Sequence, residues 1–177
     1  FLNGVDAPDQ LASTFGEGSV LGGLSRIFSE IESPGVIRHL NPGAYIECGE
    51  LNGERSSRVE TLADVFRGAG IETEVSDNIR CALWQKLLLV GSWAGLGALS
   101  QSSLGVVCDQ PELRSLVDQA MDEGIAVGGA LGYPLPDNLK QQMWDFYHGV
   151  PHDTTASMMR DILAGRPSEL DAWNGAI

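Results

Sequence analysis

Between Cys81 and Leu99 the chain reads CALWQKLLLVGSWAGLGAL, nineteen positions that are almost all apolar or glycine and carry a single charge, Lys86. Taking an ammonium out of water is costly unless a partner compensates it, and a buried lysine responds in part by giving up its proton more readily. Lys86 therefore either runs its aliphatic stem to solvent or has chemical work to do. Three other polar residues stand in apolar or tightly turned surroundings: Asn3, Ser157 and Glu169. Each also has a local structural reading. Asn3-Gly4 is a turn dipeptide, Ser157 suits a helix cap, and Glu169 follows Pro167 in a first helical turn, where the helix dipole favours a carboxylate.

Other chemistries find little support. The glycines of GEGSVLGG (Gly16, Gly18, Gly22, Gly23) do not keep GxGxxG spacing, and no GxxxxGK[ST] loop or GxSxG elbow occurs. His39, His148 and His152 are scattered without an HExxH or a paired Cys/His set, so no metal site is expected. A formal charge of −13 would repel a polyphosphate or an anionic membrane, which argues against both as partners. Cys48, Cys81 and Cys108 are odd in number and lack CxxC spacing, the pattern of free thiols in a reducing compartment, and the cytoplasm is the expected location. Segment 81–99 is barely long enough to span a bilayer, and Lys86, Gln85, Ser92 and three glycines weaken that reading. Its GxxxG at Gly91 and Gly95 fits close helix packing in a soluble protein.

The elements that must position these residues fall into two textures. Residues 1–77 read as α/β. A short helix over PDQLASTFG is followed by β-rich runs at SVLGGLSRIFSEI, GVIRHL and AYIECGEL, broken at Ser33-Pro34-Gly35 and Asn41-Pro42-Gly43. A helix with Val59, Leu62, Ala63 and Phe66 on one face precedes a strand at IETEVS. Residues 78–177 read as all-α. Asp77 or Asn78 caps a helix running to about Leu99, and a second long helix carries Leu113, Leu116, Val117, Ala120, Met121, Gly124, Val127 and Leu131 on one face. Shorter helices follow at NLKQQMWDFYHG and TTASMMRDILAG, and a last one starts near Ser168 and is expected to be still running at DAWNGAI. A nineteen-residue apolar segment needs cover on several faces, which makes a homodimer through the helical half an expectation.

Taken together, LNGVDAPDQLASTFG, VLGGLSRIFSEIESPGVIRH, AGIETEVSDNIRCALWQKLL and TASMMRDILAGRPSELDAWNGAI resemble, in order and over essentially the whole chain, the ketopantoate reductase (2-dehydropantoate 2-reductase) family. The W-x-K-L at Trp84–Leu87 and the SM-x-x-D-I-x-x-G-R-x-x-E block from Ser157 to Glu169 carry most of the likeness. The resemblance implies an NADPH-dependent reduction of a 2-keto acid, the small-molecule substrate, to a 2-hydroxy acid, as in pantothenate biosynthesis. It implies that Lys86 is the general acid, tolerated in an apolar helix because it faces a cleft between the two halves. Asn3 would orient the lysine or the nicotinamide, Ser157 would bind the substrate carboxylate, and Glu169 would lie near Lys86, the substrate hydroxyl and the cofactor.

The chain departs from the family pattern in two ways. Where relatives that reduce ketopantoate carry asparagines four and eight residues after the lysine, this chain has Val90 and Ala94, and Thr154 replaces a third at a substrate-binding position. Loss of amide donors points to a less polar 2-keto acid. The family also begins with a strand, Gly-rich turn and helix that hold the cofactor pyrophosphate, and this chain starts after that βαβ unit. The expected architecture is thus a partial Rossmann-type dinucleotide-binding domain followed by a helical substrate and dimerisation domain, with both chain ends cut. The piece alone is expected to bind NADPH poorly. Two alternatives remain open from the sequence: another hydroxy-acid dehydrogenase of similar two-domain plan, and a helical oligomerisation or interaction module.

Overall fold

The computed structural model describes residues 4–40 and 43–177. It is mixed α/β with a large helical content, and its residues divide into two compact units. One comprises residues 7–83; the other comprises residues 84–177 together with 4–6.

The first unit opens with α1 (Ala7–Phe15) and a 3-10 turn, Glu17–Ser19. Strands β1 (Leu21–Arg26), β4 (Tyr45–Glu50) and β5 (Glu72–Val75) form a three-stranded sheet in the order β1-β4-β5. The β1-β4 pair is antiparallel, with Gly22 opposite Gly49, and β4-β5 is parallel, joined by α2 (Ser57–Gly68). A parallel pair requires such a crossover. Ser56 caps α2 through a bond from the Val59 amide to its hydroxyl, and Val59 and Ala63 bury against Cys48 and Val75 of the sheet. The β-rich run SVLGGLSRIFSEI divides at Ile27-Phe28 into two strands. Its second part is β2 (Ser29–Ser33), which pairs with β3 (Val36–His39) as a separate hairpin exposed along both strands. Ser33-Pro34-Gly35 supplies the turn, with Gly35 at φ 82°, a conformation that favours glycine.

Helix α3 (Ile79–Ser100) contributes its first turn to the first unit and the rest to the second. Asp77 and Asn78 were both candidate caps. It is Asn78 whose Oδ1 accepts the Cys81 amide at 3.0 Å, while Asp77 pairs with Arg55. The second unit adds α4 (Leu104–Asp109), α5 (Pro111–Ala130), α6 (Leu139–Gly149), α7 (Ser157–Leu163) and α8 (Leu170–Trp173). Helix α4 was not foreseen. Helix α8 is a single turn, against the expectation of a helix still running at DAWNGAI. On α5 the buried stripe is Val117, Met121, Gly124 and Gly128; the first three lie on the expected face, Gly128 joins them, and Leu116 and Leu131 point outward.

The core of the second unit gathers Trp84, Leu87, Leu88, Trp93 and Ala94 of α3 with Leu104, Met121, Met143, Tyr147, Met158 and Trp173. Cys48, Cys81 and Cys108 are buried free thiols. Among the described residues no helix is long and apolar enough to cross a membrane, and no group of three or more His, Cys, Asp or Glu is placed to hold a metal ion.

Candidate active site

Trp84 and Lys86 stand two residues apart, and two residues rotate an α-helix by about 200°. They therefore leave α3 on opposite sides. Trp84 turns inward: its indole Nε1–H donates to the Gly124 carbonyl of α5 at 3.1 Å, and a Cβ added at Gly128 would lie 2.4 Å from that nitrogen. Leu88 fills the neighbouring gap, 2.2 Å from where a Cβ at Gly124 would stand. The two glycines thin α5 so that Trp84 and Leu88 lock α3 against it. Lys86, on the other side, is half-buried. The chain has only one other lysine. That residue, Lys140, sits in a surface network with Asp118 at 3.2 Å and Asp122 at 2.9 Å, beside Trp144, whose Nε1–H also donates to Asp118.

Ser157 is the first residue of α7. The cap position belongs to Ala156, which has no side-chain cap, so the expected capping role for Ser157 is not met. Met158 and Met159 bury while Ser157 stays exposed, and the Met159 sulfur lies 3.5 Å from where a Cβ at Gly97 of α3 would be. Thr154, half-buried, is committed through its backbone: its carbonyl accepts the Leu104 amide at 2.9 Å and its amide donates to the Pro151 carbonyl at 3.0 Å. Arg160 clamps the same loop by donating to the carbonyl and hydroxyl of Thr155.

Glu169 is half-buried at the N-cap of α8, and its carbonyl accepts the Trp173 amide at 3.0 Å. Asn3 lies outside the described residues. The next residue, Gly4, has φ 87° and approaches α8 so closely that a Cβ there would lie 3.0 Å from the Ala172 carbonyl oxygen. Val90, one turn after Lys86, is half-buried. Ala94 is fully enclosed in the helical core and offers no surface to a ligand.

Sequence reasoning missed one polar contact in this region. Asn174 donates from Nδ2 to the Gly91 carbonyl of α3 at 3.1 Å, and its side chain lies over Gly95. The GxxxG that suggested helix packing is thus the seat of an amide. Helices α5, α7 and α8 all pack on α3, so the elements bearing Ser157 and Glu169 share the helix that bears Lys86.

Among the described residues, Gly22 and Gly49 do not form a phosphate cradle. The approach at Gly22 is filled by Ile79, 2.7 Å from a Cβ there, and at Gly49 by the Ser76 carbonyl oxygen at 2.7 Å. Those glycines serve internal packing.

The chain thus joins a mixed α/β unit to a helical unit with the Lys86 helix in its core. Residues 78–177 match the family described as Ketopantoate reductase PanE/ApbA C terminal. The chain is 34% identical over 176 residues to the 2-dehydropantoate 2-reductase of Mesorhizobium japonicum, covering 99% of this chain and 53% of the relative. It is 30% identical to an uncharacterized oxidoreductase of Bacillus subtilis, covering 99% of this chain and 58% of that one. The crystal structure of 2-dehydropantoate 2-reductase from Geobacter metallireducens superposes with a TM-score of 0.91 at 31% identity, over 98% of this chain and 58% of that chain. The chain belongs to the ketopantoate reductase family and spans a little over half the length of these relatives.

Proposed function

We propose that this chain forms part of a reductase that converts a 2-keto acid to the 2-hydroxy acid with NADPH as hydride source, its first unit being part of a Rossmann-type cofactor domain. In this reading Lys86 donates a proton to the carbonyl oxygen. A half-buried, partly desolvated ammonium stabilises the developing alkoxide more than the same charge in water would. Glu169 offsets that desolvation and keeps the amine charged until the transfer. Ser157 and Thr154 bind the substrate carboxylate side, and Asn3 orients the nicotinamide or Lys86. Val90 makes the pocket less polar than one that holds ketopantoate through amides. Ala94, being enclosed, contributes none of this lining.

The observation that carries this reading is that α7 and α8, bearing Ser157 and Glu169, both pack on the helix of Lys86. The test is Lys86→Ala in the full-length protein, assayed with NADPH against ketopantoate and a panel of less polar 2-keto acids. Loss of the general acid lowers kcat by about 10²- to 10⁴-fold. A variant that keeps most of its turnover sends the proton elsewhere and removes the reading.

A further inference from the structure

Helix α8 is four residues long, far too short to hold its own shape in water. Whatever fixes Glu169 at its N-cap must therefore come from the surroundings. Trp173 anchors α8 in the helical core and Ala172 is met by Gly4, both apolar or steric contacts that leave freedom to slide. Asn174 adds a directional contact. Its Nδ2 donates to the Gly91 carbonyl at 3.1 Å, and a Cβ at Gly95 would lie 3.2 Å from its Oδ1 and 3.4 Å from its Nδ2. The carbonyl can accept this bond through its second lone pair in addition to its helical one. Gly175 permits the seat, because a Cβ there would come within 2.6 Å of the Asp171 carbonyl oxygen.

The geometry points to Asn174 as a positioning residue that fixes the Glu169 helix to the Lys86 helix through the Gly91/Gly95 notch. The assignment rests on the proposed pairing of Glu169 with Lys86. Glu169 precedes Asn174 by five residues and Lys86 precedes Gly91 by five, so the tie lies roughly one and a half turns along each segment from the group it positions. An amide is required because the acceptor is a carbonyl: aspartate has the same shape and no donor.

The test exploits the fact that this chain contains two lysines, Lys86 and Lys140. With ε-13C-labelled lysine, both amines are titrated by NMR in the wild type and in Asn174→Ala, Asn174→Asp, Gly95→Ala and Glu169→Gln, with folding checked by circular dichroism. Glu169→Gln is expected to lower the Lys86 pKa and Asn174→Ala to lower it in the same direction, while the carboxylate of Asn174→Asp opposes that shift by attracting the ammonium. Gly95→Ala, which crowds the amide, gives a smaller shift, and Lys140 titrates unchanged in all four. Should Asn174→Ala fail to fold, Gly95→Ala carries the measurement. If Glu169→Gln moves Lys86 and the folded Asn174→Ala and Gly95→Ala variants do not, the positioning role is overturned while the catalytic pairing stands. If Glu169→Gln leaves Lys86 unmoved, the pairing itself fails and the positioning role falls with it.

Discussion

Among the residues of the helical unit, Lys86 and Asn174 differ sharply in how readily the sequence reveals them. Lys86 announces itself because a lone charge in an apolar run demands compensation. Asn174 acts on a backbone carbonyl 83 positions away, and no local pattern of residue types encodes such a partner. Tyr147 is a similar case. Its hydroxyl donates to the Leu89 carbonyl of α3 at 2.7 Å, and burial pushes the phenol well above its usual pKa, so it stays a donor throughout the physiological range. Tyr147→Phe removes the bond without opening a cavity and is expected to cost about 1 kcal/mol, read as a shift in the urea unfolding midpoint.

Among the elements, those with strong punctuation were legible. Helix α2 begins at the Ser56 cap, α3 at Asn78, and α5 starts on Pro111 and ends before Gly132. Helix α4 escaped because six residues between a serine-rich loop and Pro111 hold too few turns for a periodicity to show. The expected face of α5 held at Val117, Met121 and Gly124 but left out Gly128, which is buried to admit the Trp84 ring of α3 and carries no apolar side chain to signal it. A direct check follows from α5. Gly129 has nothing near the position of an added Cβ, so Gly129→Ala is expected to stabilise by up to about 1 kcal/mol through helix propensity alone. Gly128→Ala collects the same gain but drives a methyl into the buried Trp84 ring, and overpacking of about 1–3 kcal/mol outweighs it. Paired chemical denaturation curves should move in opposite directions.

At the scale of the whole molecule, the net charge of −13 hides a few carboxylates that matter to folding. Hydrogen bonds from Arg58 hold the buried Glu50 carboxyl below its ordinary range, with Ser56 adding a bond, and those from Arg80 do the same for Asp9. A group whose folded pKa is depressed contributes stability above its unfolded pKa and loses it as pH falls through the folded value. The melting temperature is therefore expected to fall as pH drops below about 4, the range where free carboxylates titrate. Glu50→Gln should flatten part of that decline, which thermal melts from pH 3 to pH 7 would register as a smaller spread between the two ends. The two textures of the chain, α/β then helical, were visible in its sequence. The separation of the β2-β3 hairpin from the main sheet was not, because alternation alone does not say which strands pair.

Helix α3 is gripped on two flanks, by α5 through Trp84 and Leu88 and by α8 through the Gly91/Gly95 notch. A shaft keyed at two bearings neither spins nor slides, so the azimuth of each side chain along it is inherited from packing far from any ligand. In the proposed function, exchange of Val90 for a residue that suits a bulkier or more polar acid would then leave the amine one turn away in place. Selectivity would drift at one position while the proposed proton donor keeps its bearing.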